Sequence, residues 1–321
     1  MPGLFCFPKE QAMRASVTVR VAGSTSNLGA GFDCVGVAVG RWLRLTARVA
    51  DTPGRLITIE RSGTLRDLDT APEADLVYRG FVAACRRAGL EAPAGLTLNA
   101  DSDIPLARGL GSSAAATVAG AAAAAALLEV KLDRAGLAEL ASELEGHPDN
   151  VAPAVFGGAN LVLRDSDGLV VTPLPLHPSL ALVFAVPDFT VETKRARAAL
   201  PATVPHADAV RAAAKSAALV HGLAHADARL LAAGLDDVLH VPFRRALVPG
   251  YDEVTKAARQ AGALGATLSG SGPTIVAVVA AGGEGGGVRA VGDAMVRAWA
   301  ARGTIAQVFH ADRPAGGYEI S

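Results

Sequence analysis

Residues 104–116 read IPLARGLGSSAAA and join a glycine-bearing loop to a run of alanine. Gly109 and Gly111 can adopt positive φ angles, which lets the main chain approach a ligand more closely than a residue with a Cβ allows. Ser112 and Ser113 then begin a helix, because the residues that follow are almost all alanine, valine or leucine. The unpaired N–H groups of a first helical turn, together with the helix dipole, favour an anion. The segment therefore predicts a phosphate-binding loop at the start of a helix.

The loop departs from an ordinary helix start and from two familiar phosphate-binding motifs. A plain N-cap before a core helix would account for Ser112 and Ser113 but requires neither Pro105 nor the Gly-x-Gly pattern. The Walker loop requires a lysine before Ser or Thr, and no such lysine follows a glycine loop in this chain. A dinucleotide-binding fingerprint requires a third glycine, where this chain has Ala114. A different class of phosphate-binding fold is therefore indicated.

Composition limits the class of protein and its partners. With 321 residues, 50% of them hydrophobic, the chain can bury a large core and is long enough for two domains. A net charge of −1 and an aromatic content of 4% argue against a nucleic-acid or membrane partner. Cys6, Cys34 and Cys85 form no C-x-x-C pair, and residues 1–15 lack the pattern of a signal peptide. We expect a cytoplasmic protein with a small polar substrate; the oligomeric state stays open, with a homodimer as one option.

Periodicity and turn residues predict strands and helices mixed along both halves, which favours an α+β fold over a doubly wound sheet. Strands are predicted at 16–21, 35–39, 43–49, 56–60, 96–100, 160–163, 169–171, 180–186, 274–279 and 305–310. Helices are predicted at 76–88, 113–128, 134–144, 193–200, 207–224, 226–233, 251–261 and 288–302. Turns or loops are predicted at 22–33, 51–54, 265–273 and 282–287.

Three further segments are polar and rich in turn residues. A core helix or strand would need neither of these properties. Residues 24–33, STSNLGAGFD, offer the amide of Asn27 and the carboxylate of Asp33 around a bend. Residues 143–150, ELEGHPDN, set two glutamates, a histidine and an Asp-Asn pair close together. The glycines of residues 265–273, GATLSGSGP, could bring backbone close to the phosphate loop or to a substrate. These segments predict a polar site beside the phosphate loop.

With these segments in place, the chain resembles the homoserine kinase family of the GHMP small-molecule kinase superfamily over nearly its whole length. The motifs that carry the resemblance are NLGAGFD at 27–33, PLARGLGSSAA at 105–115, HPDNVAP at 147–153 and LSGSGP at 268–273. The resemblance implies an α+β pair of domains, the first like ribosomal protein S5 and the second a ferredoxin-like α/β sandwich. We expect the ATP-binding domain at 1–172 and a second domain, which contributes to the substrate site, at 173–321, with the active site between them.

The resemblance also implies ATP and Mg²⁺. The ATP loop of the family falls on Pro105, Leu106, Ala107, Arg108, Gly109, Leu110, Gly111, Ser112, Ser113, Ala114 and Ala115. Ser113 matches the serine near Mg²⁺. The metal-associated glutamate falls best on Glu143, with Glu145 as the fallback, and few protein ligands are typical of this cation.

The activity implied is the ATP-dependent phosphorylation of L-homoserine to O-phospho-L-homoserine, a step in threonine synthesis. Homoserine is a zwitterion bearing a hydroxyl, so its pocket requires an anion for the ammonium and cations for the carboxylate. Asn27 and Asp33 match the first requirement in the family. Arg197 and Arg244 match the second, because arginine can bind a carboxylate through two hydrogen bonds. On residue type alone, both arginines would be expected at the surface.

His147 and Asn150 are expected near the reacting hydroxyl, with Asp149 as a competing candidate for a base. Thr193 and Gly270 complete the substrate-binding set that the resemblance implies. Phosphoryl transfer depends mainly on positioning and electrostatics, so we expect direct in-line attack without a strong base. Two alternatives stay open: a related kinase that acts on another alcohol such as mevalonate, and a ligand-binding relative without turnover.

Overall fold

The computed structural model describes residues 14–49, 57–281 and 287–321. The strands within these residues are β1 (Ser16–Asn27), β2 (Gly31–Val49), β3 (Thr58–Gly63), β4 (Leu96–Ser102), β5 (Ala159–Asp165), β6 (Gly168–Pro173), β7 (Leu180–Pro187), β8 (Gly265–Leu268), β9 (Ile275–Ala280), β10 (Ala306–Ala311) and β11 (Glu319–Ile320). The helices are α1 (Leu76–Arg87), α2 (Ser112–Leu127), α3 (Arg134–Glu145), α4 (Val151–Phe156), α5 (Thr193–Ala198), α6 (His206–His225), α7 (Ala228–Leu235), α8 (Val241–Arg244), α9 (Tyr251–Gln260) and α10 (Gly287–Ala300). This mixture is the α+β class that the sequence predicts.

The first sheet has the strand order β11-β1-β2-β4-β3, with the β5-β6 hairpin joined to β2. Val17, Val19 and Val21 are buried at alternate positions of β1, as the period-2 pattern predicts. Both long strands run further than predicted. β1 continues through residues 22–27, where a turn was expected, and β2 extends over 19 residues, so the two strands predicted at 35–39 and 43–49 are one. A register shift between Ala22 and Gly23 of β1 bends the pair near the phosphate loop.

Helix α2 packs in the core of this half and is buried on nearly every side. Its small residues allow α1 to come very close, because a Cβ on Gly120 would lie 1.8 Å from the Val77 carbonyl oxygen. A Cβ on Gly80 of α1 would lie 2.2 Å from the carbonyl oxygen of Thr117. The alanine run therefore serves close helix packing. Among the described residues, no helix is both long enough and apolar enough to cross a bilayer.

The second sheet is antiparallel, with the order β10-β7-β9-β8. Its middle strands β7 and β9 are buried almost throughout, which explains why they read as continuous apolar runs. Helices α9 and α10 pack beside it around Val254, Met295 and Trp299. The chain then returns to the first sheet, where Ile320 of β11 lies opposite Val19. The chain changes sheet between β6 and β7, and the predicted domain boundary at 172/173 stays a prediction.

Most predicted elements lie within a few residues of their observed bounds, including the β5-β6 hairpin. Besides the longer β1 and β2, two further differences appear. Residues 265–268 form strand β8 instead of a loop, and helices α4 and α8 were not predicted because each is too short to show a helical period. Three predictions lie wholly or partly outside the described residues: the turn at 51–54, the first residue of the strand at 56–60 and most of the turn at 282–287.

Candidate active site

A cleft of about 480 Å³ runs along the phosphate loop and continues between the two halves of the molecule. Strands β1 and β2, the phosphate loop and the α3–α4 connection supply one side. Helices α5 and α8 and the loop after β8 supply the other. Each half of the chain thus contributes side chains to one continuous cleft.

The phosphate loop, residues 105–113, lies along the floor of this cleft. Ala107, Gly109 and Gly111 have φ angles of 51°, 70° and 69°, and Gly111 is the N-cap residue of α2. The first N–H groups of a helix have no intrahelical partners, so the start of α2 presents donors to the cleft. Arg108 does not use its guanidinium there. It donates hydrogen bonds to the carbonyl oxygens of Leu106 and Pro187 at 2.9 Å and 2.8 Å.

The glycines of the phosphate loop leave space for neighbouring parts of the protein as well as for a ligand. A Cβ on Gly109 would lie 2.0 Å from the carbonyl oxygen of Ser269, and one on Gly111 would lie 2.1 Å from Ser24 Oγ. The Ser269 hydroxyl donates to the carbonyl oxygen of Gly109 at 2.6 Å, and its oxygen lies 2.8 Å from Thr25 Oγ1, from which it can accept. The loop after β8 therefore packs directly on the phosphate loop, at a distance that only glycine permits.

Glu145 is the carboxylate beside the start of α2. It accepts hydrogen bonds from Ser113 Oγ and Thr117 Oγ1, both at 2.7 Å. Glu143, the residue that the sequence favours, does not lie there: its carboxylate is 3.6 Å from Arg87 and is half exposed. The two glutamates are two residues apart at the end of α3, so they point to different sides of the helix. Of the two candidates, the structure thus places Glu145, the fallback, beside Ser113, and Glu143 away from it.

Asn150 ties the α3–α4 connection to β1. Its Oδ1 accepts from Ser24 Oγ at 2.9 Å, and its Nδ2 donates to Ser26 Oγ at 3.0 Å. The sequence pointed to neither serine, although both belong to the polar run before Asn27. Asn150 lines the cleft with its amide already fixed by these two hydroxyls.

His147 and Asp149 form a nearly enclosed pair, with Nδ1 and Oδ1 2.8 Å apart. Burial opposes ionisation of Asp149, but the hydrogen bond and charge of His147 outweigh it and hold the pKa of the carboxyl below its ordinary value. Burial likewise lowers the pKa of His147, and the Asp149 carboxylate more than compensates, so that pKa is raised. An ionised carboxylate only accepts hydrogen bonds, so Nδ1 of His147 donates to Asp149. The second ring nitrogen, Nε2, takes no part in this bond.

Asp33 and Arg197 form a two-point ion pair in the cleft, with nitrogen–oxygen distances of 2.9 Å and 3.1 Å. The sequence assigned these groups to opposite charges of the substrate, and the structure places them side by side. Asn27 is 3% exposed, and both ends of its amide have protein partners: Nδ2 donates to Gly270 and Oδ1 accepts from the Asp33 N–H. Asn27 thus supports the Asp33 backbone, whose φ is 56°.

Arg244 is 2% exposed, contrary to the surface position expected for an arginine. Its Nε donates to the Ala196 carbonyl oxygen at 3.2 Å, and one terminal nitrogen lies 3.5 Å from the Gly270 carbonyl oxygen. Within the described residues it has no carboxylate at ion-pair distance. Burial and the charge of Arg197 lower the pKa of Arg244. The nearby carboxylates of Asp33, Asp149 and Asp237 oppose this shift only in part, so the cleft contains a buried cation without a directly paired carboxylate among the described residues.

The remaining predicted residues, Thr193 and Gly270, also line the cleft. The Thr193 hydroxyl lies 3.4 Å from that of Ser271. Beyond the phosphate loop the cleft continues along residues that no motif indicated: Arg61, Leu65, Leu68, Thr70, Ala74, Asp75, Leu76 and Val77. These residues belong to β3, α1 and their connection, and no short sequence pattern marks them.

Two family models match this chain. The model for the GHMP kinases N terminal domain matches residues 75–158, and the model for the GHMP kinases C terminal domain matches residues 216–299. The first spans the phosphate loop and the His147–Asn150 turn. The second spans Arg244 and the loop after β8. The chain therefore belongs to the GHMP kinase family.

Within that family, the similarity over the whole chain is to homoserine kinases. The homoserine kinase of Moorella thermoacetica is 41% identical over 89% of this chain and 93% of its own length. That of Trichormus variabilis is 39% identical over 92% of this chain and 95% of its own. The crystal structure of homoserine kinase from Cytophaga hutchinsonii superimposes with a TM-score of 0.85 at 32% identity, covering 98% of this chain and 100% of that one. The two-domain α+β fold implied by the motifs is confirmed.

Proposed function

We propose that the protein transfers the terminal phosphoryl group of ATP to the side-chain hydroxyl of L-homoserine, forming O-phospho-L-homoserine on the route to threonine. One observation carries the proposal: the Asp33–Arg197 ion pair and the buried Arg244 lie in the same cleft as the phosphate loop. The similarity to homoserine kinases over about nine tenths of the chain supports it.

The phosphate loop is proposed to hold the triphosphate of ATP. Its three positive-φ residues turn backbone N–H groups toward the cleft, and the start of α2 adds the positive end of a helix dipole. Ser112 adds a hydroxyl donor, whereas the hydroxyl of Ser113 already donates to Glu145. The arm of the cleft past the loop, with Leu65 and Val77 in its wall, is open to the nucleoside.

The donors at the start of α2 fit Mg²⁺. Ser113 and Glu145 offer oxygen atoms, which this cation prefers, and they already lie 2.7 Å apart. Across the described residues, no three His, Cys, Asp or Glu side chains gather into a metal cluster. Such a sparse protein set is typical of Mg²⁺, which keeps several waters and binds substrate phosphates. When bound, the cation would neutralise phosphate charge, with Glu145 as the carboxylate that orients Ser113.

The charged end of the cleft matches the head of an amino acid. The ammonium and carboxylate of homoserine share one carbon, so they require an anion and a cation side by side, as Asp33 and Arg197 are. Arg244 supplies a second cation. Since its charge is buried without an anion, a bound carboxylate gains an interaction that water no longer weakens.

His147 and Asn150 are proposed to orient the reacting hydroxyl. Asp149 is 2% exposed, and its Oδ1 accepts from both His147 and the Asn150 N–H, so its proposed role is to fix the imidazole. A carboxyl with a lowered pKa is also a weak base. The transfer then depends on holding the hydroxyl in line with the phosphoryl group.

A kinase for another alcohol is the alternative, and the charges discriminate between substrates. Mevalonate carries a carboxylate and a hydroxyl but no ammonium, so Asp33 would have no partner in it. Galactose carries neither charge, and Arg244 would stay unneutralised. Of these substrates, only the zwitterion offers a partner to both Asp33 and Arg244.

The test is a steady-state phosphotransfer assay on the purified protein with homoserine, mevalonate and galactose, following both ADP and the phosphorylated product. We expect turnover with homoserine at a kcat/KM at least about 100-fold above either competitor, since sites built around buried polar groups reject analogues that lack the partner. Preference for either competitor would refute the substrate. No transfer to any of the three alcohols would favour the other alternative, a ligand-binding relative without turnover. A cytoplasmic location and a homodimer stay predictions.

A further inference from the structure

His240 belongs to none of the motifs that indicated the site. It nevertheless contacts two parts of the charged end of the cleft, the turn between β1 and β2 and the side chain of Arg244. It immediately precedes α8 and is fully buried. Its Nε2 lies 3.1 Å from the carbonyl oxygen of Gly29, in the turn between β1 and β2, four residues before Asp33. Its Nδ1 lies 3.3 Å from a terminal nitrogen of Arg244.

These two partners determine which ring nitrogen carries the proton. A carbonyl oxygen only accepts, so Nε2 donates to Gly29. A guanidinium only donates, so Nδ1 accepts from Arg244. The ring is therefore neutral, with its proton on Nε2. Burial, which outweighs the nearby Asp237 carboxylate, agrees with this by lowering the pKa of His240 well below its ordinary value.

The surroundings hold the ring in this position. The phenyl ring of Phe32 stacks on the imidazole with centroids 4.8 Å apart, and the Arg244 guanidinium lies 5.0 Å from the same phenyl centroid. Asp237 Oδ2 accepts hydrogen bonds from the N–H groups of Leu239, His240 and Val241, which fixes the turn before α8. Its distance to Nε2 is 3.8 Å, too long for a hydrogen bond.

We propose that His240 is a positioning residue, which aims the Arg244 guanidinium at the substrate carboxylate while leaving its positive charge available. A carboxylate in the same place would also orient the guanidinium, but it would neutralise the charge that the substrate requires. A neutral acceptor orients the guanidinium without competing with the substrate carboxylate for its positive charge. This inference rests on the proposed function, because it requires Arg244 to receive a carboxylate.

Two variants separate the two hydrogen bonds of the ring. In His240→Asn the side-chain oxygen can take the place of Nδ1 and accept from Arg244, while the bond to Gly29 is lost. In His240→Gln the amide nitrogen can reach the Nε2 position and donate to Gly29, while the acceptor for Arg244 is lost. Both variants remove the ring and its stacking on Phe32, so each serves as the control for the other's loss of stability.

We expect His240→Gln to raise the KM for homoserine about 10-fold, in the range of one hydrogen bond to a charged group, and His240→Asn to raise it about 3-fold or less. The KM for ATP should stay within about 2-fold in both, because neither hydrogen bond reaches the phosphate loop. Equal increases in the homoserine KM, or a parallel increase in both KM values, would overturn the inference in favour of a structural role. If the unsubstituted protein does not phosphorylate homoserine at all, the proposed function fails, and the inference with it.

Discussion

The two ends of the cleft are built by different means. The phosphate end is a contiguous stretch of sequence, residues 105–113, shaped by positive φ angles and by main-chain contacts such as that between Gly109 and Ser269. The charged end is assembled from side chains far apart in sequence: Asp33, Arg197 and Arg244. Backbone geometry therefore determines one end, and side-chain charge determines the other. Substitutions should affect the KM of one substrate or the other according to which end they change.

The largest expected effect is at the backbone end. Gly111→Ala adds a Cβ 2.1 Å from Ser24 Oγ at a φ of 69°. We expect kcat/KM for ATP to fall about 100-fold or more, because a displacement near 1 Å at the start of α2 is enough to misplace the phosphates. Gly89→Ala is the matched control, with a φ of 70° and no described atom within 4 Å of the added Cβ. Indistinguishable ATP kinetics for the two variants would contradict a backbone-determined site.

At the charged end, Arg244→Lys keeps the charge but loses the planar fork. We expect the KM for homoserine to rise about 30-fold, since disrupting a buried charged contact costs about 2 kcal/mol or more, while the KM for ATP changes less than about 2-fold. The neighbouring Arg245→Lys is the control, because Arg245 is exposed and lies 3.4 Å from Asp252. A comparable rise in both KM values for Arg244→Lys would point to a folding role.

The junction between the two ends is tested with the glutamates of α3. Glu145→Gln should raise the Mg²⁺ concentration for half-maximal activity about 10-fold, the lower range for a residue that orients a metal ligand. Glu143→Gln should leave it unchanged, because Glu143 faces Arg87. Titrating Mg²⁺ at saturating ATP and homoserine measures both. An effect of Glu143→Gln equal to that of Glu145→Gln would return Glu143 to the metal site.

The smallest effect expected is a pH dependence of stability from the His147–Asp149 pair. The pKa of His147 is raised on folding, so its stabilising contribution is complete below its unfolded pKa near 6.5 and is lost as pH rises through the folded value. The pKa of Asp149 is lowered, so its contribution is present above its unfolded pKa near 3.8 and is lost as pH falls through the folded value. The pair thus stabilises most between these two pH values.

Urea unfolding of the protein and of His147→Gln from pH 4 to 9 measures this contribution. The difference in unfolding free energy should be largest near pH 4 to 6 and should shrink toward pH 9. A difference that grows with pH would mean that Asp149 does not raise the pKa of the His147 imidazole. His177→Gln is a control, because within the described residues the His177 ring bonds only the hydroxyl and the N–H of Ser179 and no carboxylate.

The signals that predicted the phosphate loop and its helix are local in sequence, although distant residues such as Ser24 and Ser269 also pack on the loop. These signals are neighbours in the chain: Pro105, the Gly-x-Gly pair and the alanine run. Together they define one loop followed by one helix. The same reasoning favoured Glu143 over Glu145, whereas the structure places Glu145 beside Ser113. Residues two apart on a helix point roughly 200° apart, and only the packing of α3 on α2 determines which one faces the loop. It also gave Asn27 a substrate contact, whereas the structure gives its amide to Gly270 and to the Asp33 backbone.

The charged end depended on the resemblance to a family. Nothing local distinguishes Arg244, which is buried, from Arg245, which is exposed. The hydroxyl partners of Asn150 and the contacts of His240 follow from where β1 and α8 meet, and this is a property of the folded chain. Long-range contacts of this kind leave no periodic pattern in a sequence.

The Arg108 side chain has a mechanical consequence. It fastens the phosphate loop to the end of β7 through Pro187 and Asp188, and the N–H of Val191 donates to the Ala107 carbonyl oxygen nearby. These bonds join the two halves of the molecule at the floor of the cleft. The floor of the cleft is therefore held together by polar contacts across the seam between the two halves, and the phosphate loop keeps a fixed position relative to the end of β7.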